Sequence, residues 1–131
     1  GSYGNNLNNR TEESLGSSED FWTAFREHVF TCNQSPWLGY LIVVGKDKES
    51  THAVKVSEPH FPVRAEFKNS TYLDRYRILC QRLVLEHKYN AVALIATENK
   101  DSYENLAENL SIDTFINSFR GHLLGFADEF R

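Results

Sequence analysis

The sequence is most informative at first through what it lacks. Its 131 residues include no methionine and two cysteines, and the longest apolar run, from Trp37 to Val44, is far shorter than the roughly 20 residues that cross a bilayer. No charged and then apolar leader opens the chain. Cys32 and Cys80 are too few for a disulfide framework and have no neighbours at metal-ligand spacing, so we expect buried thiols. These absences indicate a cytoplasmic globular protein that does not contact a membrane.

Several chemistries are also missing. There is no glycine-rich phosphate loop and no nucleophile elbow, and five scattered histidines offer no paired metal ligands: His28, His52, His60, His87 and His122. A chain that begins Gly1-Ser2 without methionine is expected to be a fragment or a trimmed piece of a longer protein.

Charge is unevenly distributed. The net charge is -4, yet residues 64–88 hold six basic side chains against three acidic ones. An acidic protein can still hold a polyanion locally, because salt confines the field of each charge to about 10 Å at 0.1 M. A basic helix face is more commonly plain solvated surface, so charge alone leaves nucleic-acid contact open.

The first half of the chain predicts a loop, a helix and a strand. Residues 1–8 are predicted as a loop and 9–30 as a helix that starts at the Asn9 and Glu12 signal. Its inward stripe is predicted from three-to-four spacing: Leu15, Ser18, Trp22, Phe25 and Val29. The continuously apolar residues 37–44 predict a central strand covered on both faces, and 45–69 are predicted to be irregular.

The second half repeats this order. A helix over 70–89 is predicted to be capped by Ser70 and to turn inward the side chains at three-to-four spacing: Leu73, Tyr76, Cys80, Leu83 and His87. Residues 91–97 predict a second buried strand, and 103–130 predict a short helix around Tyr103 and a longer one capped by Ser111. Gly121 and Gly125 are expected to let a neighbouring element approach.

Two apolar strands joined by a helix predict a parallel pair with a crossover, hence an α/β fold. A two-stranded sheet rarely stands alone, so the missing strands are expected upstream, and residues 1–131 are expected to be the C-terminal portion of one larger domain.

Two residue clusters could carry chemistry. Glu66-Phe67-Lys68 superficially matches the Glu-x-Lys triplet of metal-dependent nucleases, in which a carboxylate holds Mg²⁺ while the ammonium sits by the attacked phosphate. The triplet is short, common by chance and flanked by prolines, so a structural role is favoured.

The second cluster opens the first helix. Amides can pair with adenine and arginine with guanine or phosphate, although a capping loop is the simpler interpretation of these residues: Asn5, Asn6, Asn8, Asn9 and Arg10. A weaker candidate for phosphate contact is a partial basic edge on the second helix, formed by Arg75, Arg77 and Arg82. Arg75 and Arg82 lie seven residues apart and share a face, and Arg77 lies to one side.

Long ordered strings carry a family resemblance. Gly4 through Glu13, Asp20 through Glu27 and Pro36 through Leu41 resemble the C-terminal part of the XhoI-type restriction endonucleases. The later strings are similar in the same order: Pro59 through Pro62, Glu66-Phe67, Tyr72 through Val84, Glu86, and Tyr89 through Ala91. The resemblance is close over residues 3–97 and loose beyond.

This resemblance implies a type II restriction endonuclease on the PD-(D/E)xK scaffold. Such an enzyme would use Mg²⁺ to cleave double-stranded DNA at a short palindrome, plausibly of the CTCGAG type, and would act as a homodimer. In the family a Glu-x-Lys strand comes directly before the Gly-Asn-Asn segment. The resemblance therefore implies that no catalytic or metal-binding residue lies in this chain, which alone would be inactive.

Two alternatives stay open at this stage. One is a non-catalytic α/β protein-interaction module whose aromatic side chains, notably Trp22, Trp37 and Phe126, serve a partner. The other is a self-contained nuclease that uses Glu66 and Lys68.

Overall fold

The computed structural model describes residues 3–30, 34–51 and 70–128. In chain order the elements are α1 (Tyr3–Arg26), β1 (Gly39–Gly45), α2 (Lys48–Thr51), α3 (Tyr72–Leu85), β2 (Ala91–Asn99), β3 (Ser102–Asn105), a 3₁₀ turn (Glu108–Leu110) and α4 (Ile112–Asp128). The described strands form one sheet in the order β1-β2-β3, and the chain is therefore mixed α/β.

The sheet contains the parallel pair that the sequence predicted. β1 pairs with β2 in parallel, with Gly39 opposite Ala91 and Gly45 opposite Thr97, and α3 is the connecting helix. β3 then turns back antiparallel to β2 through a register shift between Ala96 and Asn99. The short helix expected around Tyr103 is wrong. An exposed strand stands there, followed by a 3₁₀ turn, because the chain reverses at Lys100-Asp101 and pairs with the end of β2.

Helix α1 differs from its prediction at both ends. It begins at Tyr3, so the loop expected over 1–8 is wrong for residues 3–8, and the Asn9 and Glu12 signal lies inside the helix. The helix ends at Arg26, where His28 adopts a left-handed φ of 58°. Val29 N–H then bonds the Ala24 carbonyl, which closes the last turn of the helix.

The predicted inward stripe of α1 is right at Ser18 and wrong at Leu15 and Val29. Ser14 and Ser18 are fully buried, whereas Leu15 is 37% exposed and Val29 is exposed beyond the helix end. The reason is a close contact between α1 and the residues that follow α3. The Lys88 carbonyl accepts hydrogen bonds from Ser18 Oγ at 2.5 Å and Trp22 Nε1 at 2.8 Å, so small side chains are required there.

Helix α3 is capped one residue later than predicted. Thr71, not Ser70, is its N-cap, because Thr71 Oγ1 accepts from Asp74 N–H while the Asp74 carboxylate accepts from Thr71 N–H. The helix ends at Leu85, and His87 takes a φ of 56°. The expected cap of α4 is present, since Ser111 Oγ accepts from Thr114 N–H at 3.1 Å.

The core lies between the sheet and α3. Ile42, Val44 and Leu94 pack there against the inner side of α3, which buries Tyr76, Cys80 and Leu83 as predicted. On the opposite side of the sheet α4 packs on β2. The prediction that a neighbouring element approaches closely at Gly121 and Gly125 is wrong, because nothing lies within 4 Å of a Cβ placed on either.

Strand β1 is only half covered. Ile42 and Val44 are buried, but Leu41 and Val43 on its other face are 51% and 57% exposed, so the expected coverage on both faces is wrong for β1 and right for β2. The reason is position, since β1 lies at an edge of the sheet in the described part of the chain.

Candidate nucleic-acid interface

A groove of about 400 Å³ separates the first half of α1 from the outer side of α3. Its floor is apolar and includes Leu15 and Ile78, and its rim is polar. The residues that line it are Leu7, Asn8, Thr11, Leu15, Arg75, Ile78, Leu79, Arg82, Leu83 and Glu86. The groove thus combines one amide, two guanidinium groups and one carboxylate above an apolar base.

The depth of the groove follows from how α1 is docked. Tyr89 donates its hydroxyl to the Ser14 carbonyl at 2.8 Å, and Ser18 and Trp22 bind the Lys88 carbonyl. These contacts run from Ser14, in the middle of α1, to Trp22, and they hold α1 against the residues that follow α3. The groove lies along α1 from Leu7 to Leu15.

The arginines of α3 are separated by the structure. Arg75 and Arg82 line the groove, one near each end of α3, and Arg75 Nε donates to Ser70 Oγ at 3.0 Å. Arg77 instead forms an exposed ion pair with Asp74 at 3.3 Å. Of the predicted basic edge, two members thus share one groove and the third does not line it.

The amide cluster of α1 is divided in the same way. Asn8 lines the groove, whereas Asn6 and Arg10 line a second cavity of about 420 Å³ at the edge of β1. Asn9 is exposed, and the Asn5 side chain lies outside the described residues. Neighbouring positions of a helix project in different directions, whereas positions four apart share a face, which is why Asn6 and Arg10 meet at one cavity and Asn8 lies in the other.

The second cavity includes a residue that sequence reasoning did not single out as functional. Tyr76 lines it together with Asn6, Arg10 and β1 residues 42–45. Burial raises the pKa of the Tyr76 phenol, and the nearby Arg10 guanidinium partly opposes that rise. Its inward position in the helical pattern predicts a core residue, which it also is, so the sequence carries no signal for the second role.

Arg10 itself is engaged within α1. Its guanidinium lies 2.7 Å from the Glu13 carboxylate, and both side chains are about half exposed. Burial, with a smaller contribution from Glu13, raises the pKa of the neighbouring Tyr40 to about 12. An exposed pair of this kind is worth little to stability, so Arg10 can exchange Glu13 for another anion at small cost.

A second acidic and basic cluster stands at the carboxyl end of the parallel strands. Lys46 Nζ lies 3.0 Å from Glu104 and 3.6 Å from Glu98. The hydrogen bond to Glu104 raises the Lys46 pKa, and the charge of the ion pairs adds to that effect. The residues whose placement the structure describes contain no group of three His, Cys, Asp or Glu side chains suited to a metal ion.

The remaining sequence candidates fall into two sets. Glu66 and Lys68 lie outside the described residues, as does Cys32, while Cys80 is the buried thiol that was predicted. Trp22 and Trp37 have structural roles, since Trp22 binds the Lys88 carbonyl and Trp37 Nε1 donates to Ser118. Their engagement inside the fold gives no support to a partner surface built on them.

No helix among the described residues is long and apolar enough to span a membrane.

Comparison with known proteins identifies the family. The model of the family described as "Restriction endonuclease XhoI" matches residues 1–108. The chain belongs to the XhoI restriction endonuclease family. This agrees with the resemblance seen in the sequence, and α4 lies beyond the matched range.

Named relatives of the XhoI family agree. The type II restriction enzyme BstVI of Geobacillus stearothermophilus is 46% identical over 126 residues, which cover 93% of this chain and 56% of that protein. The type II restriction enzyme XhoI of Xanthomonas vasicola is 46% identical over 85 residues, covering 65% of this chain and 34% of that protein. The chain therefore spans about half the length of BstVI and about a third of the length of XhoI. No solved structure matches.

Proposed function

We propose that the natural protein carrying these residues is a type II site-specific deoxyribonuclease. It would cleave double-stranded DNA at a short palindrome of the CTCGAG type, as a cytoplasmic homodimer whose two-fold axis matches that of its target. The observation that carries this proposal is the match to the XhoI family together with a groove that gathers an amide and two arginines.

The proposal assigns the chain to the C-terminal portion of a PD-(D/E)xK domain. Among the described strands β1 lies at an edge of the sheet, and α1 runs antiparallel to it, since Asn6 lies near the Gly45 end while Ser14 contacts Tyr89 near the other end. A strand entering α1 would therefore lie parallel to β1. We place the Glu-x-Lys strand of the family in that position, with its carboxylates as the Mg²⁺ ligands.

When bound, Mg²⁺ would activate water and neutralise charge on the phosphate. The described residues have another task, which is to bind and orient DNA. In this scheme Arg75 and Arg82 contact phosphates, and Asn8 reaches toward base edges from the same groove. Arg77 is the weakest of the proposed contacts, because it does not line the groove.

The decisive experiment is digestion of a DNA of known sequence by the natural protein, with mapping of the ends produced. A single palindromic site with Mg²⁺ dependence supports the proposal, and absence of cutting on any DNA contradicts it. The 131-residue chain alone is expected to be inactive. Cutting by this chain that is lost in Lys68→Ala would instead support the self-contained nuclease that uses Glu66 and Lys68.

A binding experiment tests the groove. Arg75→Gln combined with Arg82→Gln is expected to reduce the slope of log affinity against log salt by about 2, since each lost phosphate contact contributes about 0.9. Arg120→Gln, on exposed α4, is the matched control and should leave the slope unchanged. Equal slopes for the double variant and the control would remove the groove from the DNA interface.

Alanine substitutions test the α1 cluster. Asn8→Ala is expected to weaken specific binding by about 1–3 kcal/mol and nonspecific binding far less, because a base contact discriminates among sequences. Asn6→Ala and Arg10→Ala test the second cavity, and Asn5→Ala and Asn9→Ala complete the set. Unaltered binding and cutting in all five variants would refute the assignment.

A further inference from the structure

An uncovered apolar surface lies on the side of the sheet opposite α3. On this side Leu41 and Val43 of β1 are about half exposed, and α4 presents further exposed apolar side chains. We call this surface the open apolar face, and it consists of Leu41, Val43, Ile116, Phe119 and Leu123. Scattered exposed apolar residues need no explanation, but a strand face continued by a helix stripe does.

The geometry of Gly39 places these residues on one side. A Cβ at Gly39 would lie 2.8 Å from Phe115, so α4 crosses β1 at its first residue. Leu41 and Val43 lie two and four residues further along and therefore share the face of Gly39. Trp37 packs between Phe115 and Phe119 and closes the α4 end of this surface. Beyond that point the face of β1 is open.

The main chain of the same two residues is open as well. At the two ends of β1 the Leu38 carbonyl and the Lys46 N–H bond to the β2 side. Main-chain groups alternate between the two sides of a strand, so the N–H and C=O groups of Leu41 and Val43 point away from β2. Half-exposed side chains and main-chain groups directed away from β2 thus lie at one place, which favours a strand joined to a helix as the neighbour.

A segment of the same polypeptide fits this place better than a second copy does. The match to BstVI leaves 44% of that relative outside the aligned portion. α1 already reaches the β1 edge on the other side of the sheet, where Asn6 and Arg10 line a cavity. A second copy paired edge to edge about an axis normal to the sheet would bring its own α1 into that same space.

We propose that the open apolar face is covered by a helix from the remaining part of the natural protein, connected to the strand that pairs with β1. This proposal rests on the proposed function only in taking the natural protein to be a nuclease of the relatives' length. The helix would pack beside α4, with its apolar side on Leu41 and Val43. The same face then serves folding of the whole domain and is closed to DNA.

Thiol labelling of the natural protein tests the proposal. In a Cys32→Ser background, Val43→Cys and Leu123→Cys report on the face, while Leu85→Cys is the control, because Leu85 is 75% exposed on α3. Maleimide should react with the two reporters at least about tenfold more slowly than with the control, in line with a local opening cost of about 1.4 kcal/mol or more. Equal rates would overturn the proposal.

The concentration dependence separates the two occupants. Protection that disappears on dilution, together with dissociation seen by light scattering, would assign the face to a second copy and overturn the proposal. Protection that is independent of concentration supports it. If the cysteine variants fail to fold, hydrogen exchange of the Leu41 and Val43 amides in the unmodified protein gives the same answer, because paired amides exchange slowly.

Digestion of DNA by the same preparation keeps the two proposals apart. A protein that protects the reporters but cuts no DNA would contradict the proposed function and leave the covered face intact. A protein that cuts DNA while both reporter thiols and both amides react freely would support the proposed function and contradict the covered face.

Discussion

The two parallel strands are almost equally apolar, yet they occupy different environments. β2 is buried on both faces, by α3 on one side and α4 on the other, whereas β1 is buried on the α3 side alone. Paired residues show the contrast directly: Ala93 is fully buried, and its partner Leu41 is 51% exposed. An apolar run therefore indicates that a strand is built to be covered on both faces, but not which segment covers it.

The largest expected effect contrasts the two sides of β1. Val44→Pro is expected to prevent folding, because the Val44 N–H points toward β2 and the residue is buried. Val43→Pro removes an N–H on the edge side and is expected to leave this chain folded. Circular dichroism and urea unfolding of both variants measure this. Equal damage from the two prolines would contradict the assigned direction of the hydrogen bonds.

Truncation of the side chains comes next in size. Leu94→Ala is expected to cost about 2–5 kcal/mol of unfolding free energy, since Leu94 is fully buried at the centre of the sheet. Leu41→Ala, on the open face of β1, should cost less than about 1 kcal/mol in this chain. Urea midpoints of the pair decide the matter, and a similar loss at both positions would mean that the open face is already covered.

A glycine marks where α4 covers β1. Gly39→Ala is expected to cost about 1–3 kcal/mol, because its Cβ would meet the Trp37 ring at less than van der Waals distance and Phe115 at 2.8 Å. The hydrogen bond from Trp37 to Ser118 should weaken with it. Tryptophan fluorescence together with thermal unfolding checks this, and Gly16→Ala is the control, since nothing lies within 4 Å of a Cβ there. An unchanged melting temperature for Gly39→Ala would contradict the close contact.

The smallest effect concerns pH and the covered side of the sheet. Burial raises the pKa of the Cys80 thiol to about 12 from its ordinary 9.0. The unfolded chain then loses its thiol proton first, so the stabilisation is complete below about pH 9 and is lost as the pH rises toward 12. Urea midpoints between pH 8 and 10.5 should fall less steeply in Cys80→Ala. The buried tyrosines act in the same direction, and an identical slope would assign the decline to them.

The sequence predicted the architecture better than the faces of its elements. Three-to-four spacing located the inward side of α3, because large apolar side chains fill that interface. On α1 the same rule placed Ser18 correctly, but it missed Ser14 and wrongly turned Leu15 inward. Ser14 and Ser18 are buried by hydrogen bonds to the residues that follow α3, which hydropathy does not report. β3 was missed for a similar reason, since its exposed residues pair with β2 only after the chain reverses.

The candidate site shows a comparable division. Residue type and charge identified Asn8, Arg75 and Arg82, which the fold brings to one groove. Helical spacing also predicted Arg77 to one side of Arg75 and Arg82, but not its ion pair with Asp74, which forms the capping box of α3. Tyr76 could not be found, because a phenol on the inward side of a helix has the same pattern whether or not a cavity opens beside it.

Ser14 and Ser18 form the contact between α1 and the residues that follow α3. Because of this contact, substitution of Ser18 alone would change the width of the groove. Ser18 lies against the Lys88 carbonyl just beyond α3, so a bulkier side chain there would push this part of α1 away from α3. A change of one or two methyl groups would thereby alter the width of the groove without changing any residue that lines it.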